Sequence, residues 1–171
     1  LLLLLLVLGC LGDLTVELVG VYDALHSANA VSVADGYAYV ADGWRCLVVV
    51  DVSDPTSPVL AAESGEEYIG SNSLFKYGDY VYTTGEGSPP QIINVSDPTS
   101  PLPESYLEES GPATGICANS TYAFVARPYD EGAGIGKYDV SIPASPSIIS
   151  LFETIEGGFA LYLQGDYLYV A

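Results

Sequence analysis

Short runs of alternating apolar and polar residues follow one another along the chain, separated by Asp-Gly and Asp-Pro pairs. The stretch from Asn29 to Glu63 shows the pattern most fully. Asn29 to Val33 alternates, Asp35-Gly36 supplies a hairpin dipeptide, and Tyr37 to Ala41 alternates aromatic and small side chains. Gly36 can take the positive φ that a tight hairpin turn needs. After Asp42-Gly43, Cys46 to Val52 is almost continuously apolar and rich in β-branched residues, the pattern of a strand covered on both faces. Asp54-Pro55 ends it, because proline fixes φ and has no N–H to give the ladder. Val59 to Glu63 completes a set of four short strands. No stretch keeps a sustained helical period, so few helices are expected.

The same pattern returns. Asp51-Val-Ser-Asp-Pro-Thr-Ser-Pro58, Asn94-Val-Ser-Asp-Pro-Thr-Ser-Pro101 and Asp139-Val-Ser-Ile-Pro-Ala-Ser-Pro146 align without gaps, their starts 43 and 45 residues apart. A second phrase keeps step: Tyr37-Ala-Tyr-Val-Ala41, Tyr80-Val-Tyr-Thr-Thr84, Tyr122-Ala-Phe-Val-Ala126 and Tyr167-Leu-Tyr-Val-Ala171. Two phrases holding one period exclude chance similarity of single strands. Four strands per period of roughly 40–50 residues is the pattern of a propeller blade. A blade cannot bury both faces alone and must stack on neighbours. The competing β-sandwich needs no strict period. The expected fold is therefore all-β, a β-propeller of four-stranded antiparallel blades over residues 13–171. The ring is incomplete, with roughly 3.5 to 4 blades of the four to eight that closure takes. Leu14 to Tyr22 resembles a fourth, outer strand, and Tyr167 to Ala171 a second strand, so C-terminal blades are expected to be missing.

Leu47-Val-Val-Val-Asp51 with Val52-Ser53-Asp54-Pro55, preceded by Gly36-Tyr-Ala-Tyr-Val-Ala-Asp42, resembles the LVIVD repeat of bacterial and archaeal surface proteins. The resemblance covers about residues 18–171. It is strong in the first unit and weaker in the second, where Gln91-Ile-Ile-Asn94 replaces the pentad. Ile135-Gly-Lys-Tyr-Asp139 of the third unit keeps only the frame. It implies a propeller that is secreted or surface-attached, and it carries no catalytic residue with it.

Leu1 to Leu8 is a solid apolar run followed by Gly9-Cys10. It is too short to span a bilayer as a helix and fits the core of a secretory leader over residues 1–12. Val7-Leu8-Gly9-Cys10 also resembles a lipobox with Cys10 as the lipidated residue. Both readings place the domain outside the cytoplasm, as a secreted or surface lipoprotein. Of the remaining cysteines, the repeat register puts Cys46 and Cys117 on different strands of different blades, so free, partly buried thiols are expected.

Composition narrows the partners. There are 4 Lys+Arg against 22 Asp+Glu, a net charge of −18, so nothing here could neutralise nucleic-acid phosphates or an anionic membrane surface. Contact with a membrane is expected only through the lipid anchor.

Catalytic and cofactor motifs are missing from the sequence. His26 is the single histidine, without metal ligands at workable spacing. No Gly-x-Ser-x-Gly elbow surrounds a serine. Gly132-Ala-Gly-Ile-Gly-Lys137 fails the phosphate-loop pattern at Glu131 and Tyr138. Asp51, Asp54, Asp97 and Asp139 invite calcium but lack its alternating oxygen ligands, so no cofactor is expected. Side-chain capping of a turn accounts for Asp54 and Asp97.

What remains is one end of the blades. The connections Asp23–Asn29, Gly65–Asn72, Ser110–Thr114 and Glu156–Phe159, with Asp42–Arg45, Gly85–Pro90 and Arg127–Gly136, fall on one face. They hold His26, the single tryptophan Trp44, Arg45, Arg127 and Asp130, the candidate ligand contacts. Trp and Arg are enriched at binding hot spots, although Trp44 also suits a cap between blades. A non-enzymatic surface module binding or adhering to a protein or glycan is the expected function. An extracellular hydrolase or lyase with its site at the channel mouth is the alternative, and a purely structural propeller is a third reading.

Overall fold

The computed structural model describes residues 3–11, 15–43, 45–64, 70–85, 88–108, 113–127, 133–153 and 160–171, with side chains from residue 18 onward. Every regular element among them is a β-strand. β1 (Leu3–Leu11) and β2 (Thr15–Leu25) form a two-stranded sheet. Blade 1 is β3 (Ala28–Ala34), β4 (Tyr37–Asp42), β5 (Cys46–Asp51) and β6 (Val59–Glu63). Blade 2 is β7 (Ser73–Tyr77), β8 (Tyr80–Gly85), β9 (Ser88–Asn94) and β10 (Leu102–Tyr106). Blade 3 is β11 (Gly115–Ala118), β12 (Tyr122–Arg127), β13 (Gly134–Asp139) and β14 (Ser147–Glu153). β15 (Leu161–Gln164) and β16 (Tyr167–Val170) form a last two-stranded sheet.

Each blade is an antiparallel meander, which is what short strands joined by tight turns produce. Asp35 and Gly36 sit at φ 53° and 82°, the paired positive values of the expected hairpin. The expected four-stranded unit and its boundaries in blade 1 hold to within a residue or two. Two expected loops are shorter than their sequence suggests. Pro89 and Pro90 lie inside β9, and the Pro90 carbonyl accepts the Leu107 N–H at 2.8 Å. Proline can begin a strand where its absent N–H is not required. β13 likewise starts at Gly134, inside the segment expected as a loop.

The core lies between blades. In β5, Leu47 and Val49 join Tyr39 and Ala41 against Leu74, Val81, Ile93 and Val95 of blade 2. Val48 and Val50 point the other way, with Ala38 and Val40, towards Leu25 and Tyr22 of β2. That is why the run is continuously apolar: successive side chains of a strand face opposite neighbours. Full burial of each such side chain is worth about 1.5–3 kcal/mol. Cys46 and Cys117 form no disulfide, as expected, and both are fully buried where partial burial was expected.

The repeated Ser-Asp-Pro turn is held by its own side chains. The Asp54 carboxylate accepts the N–H and hydroxyl of Thr56, at 2.9 and 2.7 Å, and Asp97 does the same for Thr99. One residue past each third strand, the N–H of Val52, Val95 or Val140 donates to the first hairpin of its blade, at Gly36, Asp79 or Thr121. The phrase thus joins the two turns at one end of every blade.

Candidate functional site

The opposite end carries the connections that differ between blades. The buried polar side chains of the described residues, Asp42, Ser64, Ser71, Thr83, Thr84 and Gln91, all belong to it, in blades 1 and 2. Polar groups withdrawn from water need partners. Asp42 ends β4, and its carboxylate accepts the His26 N–H at 2.9 Å while its carbonyl accepts the Arg45 N–H at 3.2 Å. Gly43 N–H donates to Ser27 at 2.9 Å. One acid therefore ties the segment before the first strand to the segment after the second.

A second chain of contacts crosses to blade 2. The Cys46 thiol donates to Gln91 Oε1 at 3.3 Å and stands 3.8 Å from Thr83 Oγ1. Gln91 Nε2 donates onward to Tyr106 Oη at 3.1 Å. Cys46 holds φ 61°, a strained value for a residue with a side chain, which aims the thiol at this network. Nearer the axis, Asn29 Nδ2 donates to the Ser71 carbonyl at 2.9 Å and faces Asn72 Oδ1 at 3.4 Å. Asn29 at the bulge within β3, Asn72 just before β7 and Thr114 just before β11 occupy equivalent register positions in the three blades.

Glycines let the backbones of this end close up. A Cβ on Gly85 would fall 1.7 Å from the Gly70 carbonyl oxygen, and one on Gly70 would fall 2.9 Å from that of Gly43. Gly43, Gly70 and Gly85 are thereby brought close together as one platform.

Of the candidates read from the sequence, His26 and Arg45 come to the same platform. His26 is exposed, and Arg45 pairs with Glu63 of its own blade, which fixes the guanidinium at the rim. Arg127 closes β12, the place Asp42 takes in β4, two blades away. Trp44 and Asp130 lie outside the described residues. Cys10 sits in β1 opposite Val16. Asp42 was legible only as half of a turn dipeptide. Thr83, Thr84 and Gln91 did carry a signal, because they interrupt strands whose counterparts in blade 1 are apolar.

At the other end the carboxyls of Asp51, Asp54, Asp97 and Asp139 are held below the usual carboxylate range by hydrogen bonds from Ser53, Thr56, Thr99 and Ser141. In each, one oxygen, Oδ1, is engaged in turn geometry. Among the described residues no group of three His, Cys, Asp or Glu side chains converges as a metal site.

The LVIVD repeat model matches residues 26–63 and 71–107, which are blades 1 and 2 with the connections that enter them. No curated protein matches the chain. Among solved structures, the computationally designed Ika4 protein is similar with a TM-score of 0.68 and 9% identity, over 84% of each chain. The N-terminal domain of Nup159 is similar with a TM-score of 0.57 and 6% identity, over 90% of this chain and 40% of that one. At such identities the likeness concerns the fold alone.

Proposed function

The chain carries two tandem LVIVD repeats in a propeller architecture, and from that premise we propose that it is a non-enzymatic binding scaffold whose ligand, a surface protein or glycan, docks on the platform around Asp42. One contrast between the two ends of the blades carries the reading. The turn end repeats nearly unchanged and satisfies its own polar groups. The platform end varies from blade to blade and collects the buried polar side chains. Variation on a rigid frame is the arrangement by which repeat scaffolds present binding surfaces. Arg45, anchored by Glu63, and exposed His26 are the contacts we assign to the ligand, with Arg127 on the far side of the same face.

Placement outside the cytoplasm belongs to the proposal. It takes its support from the LVIVD resemblance and from the apolar run Leu1 to Leu8 before Gly9-Cys10. The test is a screen of the purified chain on glycan and surface-protein arrays, followed by Arg45→Ala and Arg127→Ala variants. Saturable binding that falls about tenfold or more in an Arg variant is the expected result. Broad arrays without binding, together with turnover of a glycan or ester, would overturn the scaffold reading in favour of a hydrolase or lyase.

A further inference from the structure

Asn29 and Asn72 hold equivalent places in blades 1 and 2, and their side-chain amides meet where β3 and β7 adjoin. The backbone sets that meeting. The ladder of β3 and β4 steps from Ala28↔Asp42 to Ala30↔Ala41, so Asn29 is the extra residue of a β-bulge. A bulge re-aims the side chain it carries. Asn29 is turned towards blade 2, whereas Val31 and Val33, paired with Val40 and Ala38, face away from it towards β2. Gly43 leaves room for the amide, since a Cβ there would fall 3.3 Å from Asn29 Nδ2. In blade 2 the Asn72 N–H donates to the Thr84 carbonyl at 2.7 Å, and the buried Ser71 sends its hydroxyl to the same carbonyl at 3.4 Å.

These bonds decide which amide atoms remain outward. The Ser71 carbonyl can only accept, so the Asn29 atom facing it at 2.9 Å is Nδ2. That donor also faces Asn72 Oδ1 at 3.4 Å, which leaves Asn72 with its Nδ2 turned elsewhere. Joining the two blades therefore uses Asn29 Nδ2 and Asn72 Oδ1. Among the described residues nothing bonds to Asn29 Oδ1 or Asn72 Nδ2, and both residues are exposed. An acceptor and a donor are thus held close together at the surface by two different blades.

The surroundings select the ligand. The exposed large apolar side chains of blades 1 and 2 are Val31 and Val33, facing away, Val59, Leu60 and Leu102 on the outer strands, and Tyr77 at the turn end. A protein partner draws its affinity from buried aromatic and apolar anchors. Among the described residues none stands beside the amide pair. An anion is disfavoured too, because Arg45 already has Glu63 against it and the chain carries a net charge of −18. What fits is an uncharged molecule rich in hydroxyls, each of which both donates and accepts.

On the premise of the scaffold reading, we propose that this pair is a saccharide subsite, Asn72 Nδ2 donating to one hydroxyl of a neutral glycan and Asn29 Oδ1 accepting from its neighbour. The bulge and the bonds to Ser71 and Thr84 hold both amides in place before a ligand arrives, which lowers the ordering cost of binding.

Calorimetric titration of the whole chain with neutral gluco-, manno- and galacto-oligosaccharides tests it. Saturable binding of at least one probe is expected, with an affinity that changes little between low salt and about 0.5 M sodium chloride, because the contacts carry no charge. Asn72→Ala should weaken that binding about tenfold and leave the thermal midpoint unchanged, since the side chain is exposed and its bond to Asn29 is long. Asn29→Ala should weaken it to a similar extent and also lower the midpoint, through the lost bond to Ser71. The proposal is overturned if no neutral probe binds, if only sialylated or sulfated saccharides bind, or if both variants bind the neutral probe as the parent does. A surface protein bound in place of the saccharides overturns the subsite and leaves the scaffold reading standing, whereas shortening of the probes overturns both.

Discussion

At the scale of single residues, the third repeat offers its own control. Ile142 stands where the first two repeats have Asp54 and Asp97, and Ala144 where they have Thr56 and Thr99. The turn keeps its shape, since Ser145 N–H still reaches the Ile142 carbonyl at 2.9 Å. The Ile142 side chain, on a residue 66% exposed, can accept nothing from the backbone N–H groups of the turn. The double change Ile142→Asp with Ala144→Thr should therefore raise the thermal midpoint, and Asp54→Ala should lower it. The Asp54 carboxyl is depressed in the folded chain by its bonds from Thr56. Its stabilisation is present above the unfolded value of about 3.9 and is lost as pH falls through the folded one. The gap in midpoint between Asp54→Ala and the parent should close in acid, and equal gaps at neutral and strongly acidic pH would refute the turn assignment. Cys117 runs the opposite way, its thiol pushed up to about 11 by burial. It contributes below the unfolded thiol value of about 8.5, and that contribution is lost as pH rises through about 11. Alkylation at pH near 8 should label Cys117 only after denaturant is added, as mass spectrometry of the native and unfolded chains would show.

At the scale of elements, equivalent positions in successive blades report what stacking is worth. Leu107 at the end of β10 is buried against Ala123, Val125 and Tyr138 of blade 3. Leu107→Ala should cost about 2–5 kcal/mol in denaturant unfolding. Phe152→Ala, at the same place in β14, should cost about 1 kcal/mol or less, because its surface is open. The strands and the inter-blade core were legible in the sequence for a physical reason. A strand covered on both faces leaves an unbroken apolar run, and Leu47 to Val50 could serve nothing else. The platform was legible only in part. A buried carboxylate such as Asp42 has the same local sequence signature as an exposed turn aspartate, and only the packing of Gly43, Gly70 and Gly85 withdraws that end from water. Gly85→Ala should show the platform's rigidity directly. It should lower the midpoint, whereas Gly78→Ala, with open space around it but φ 54°, should cost only its backbone strain.

At the scale of the whole molecule, two long-range effects oppose each other. Burial between blades draws the arc together, each blade adding an interface with its neighbour. The chain also carries 22 acids against 4 bases, and a net charge of −18 repels itself within one copy and between copies. Much of that charge is exposed, and exposed charges are screened over about 10 Å at 0.1 M salt. Raising sodium chloride from low concentration to about 0.5 M should therefore increase the unfolding midpoint. The calcium question is answered in the same measurement. Asp51, Asp54, Asp97 and Asp139 each commit Oδ1 to their own turn, and among the described residues no three His, Cys, Asp or Glu side chains converge. Screening acts through ionic strength alone, so sodium and calcium chloride at matched ionic strength should shift the midpoint about equally. A calcium-specific rise that saturates at low millimolar concentration would instead mean that the acidic charge is gathered into a binding site.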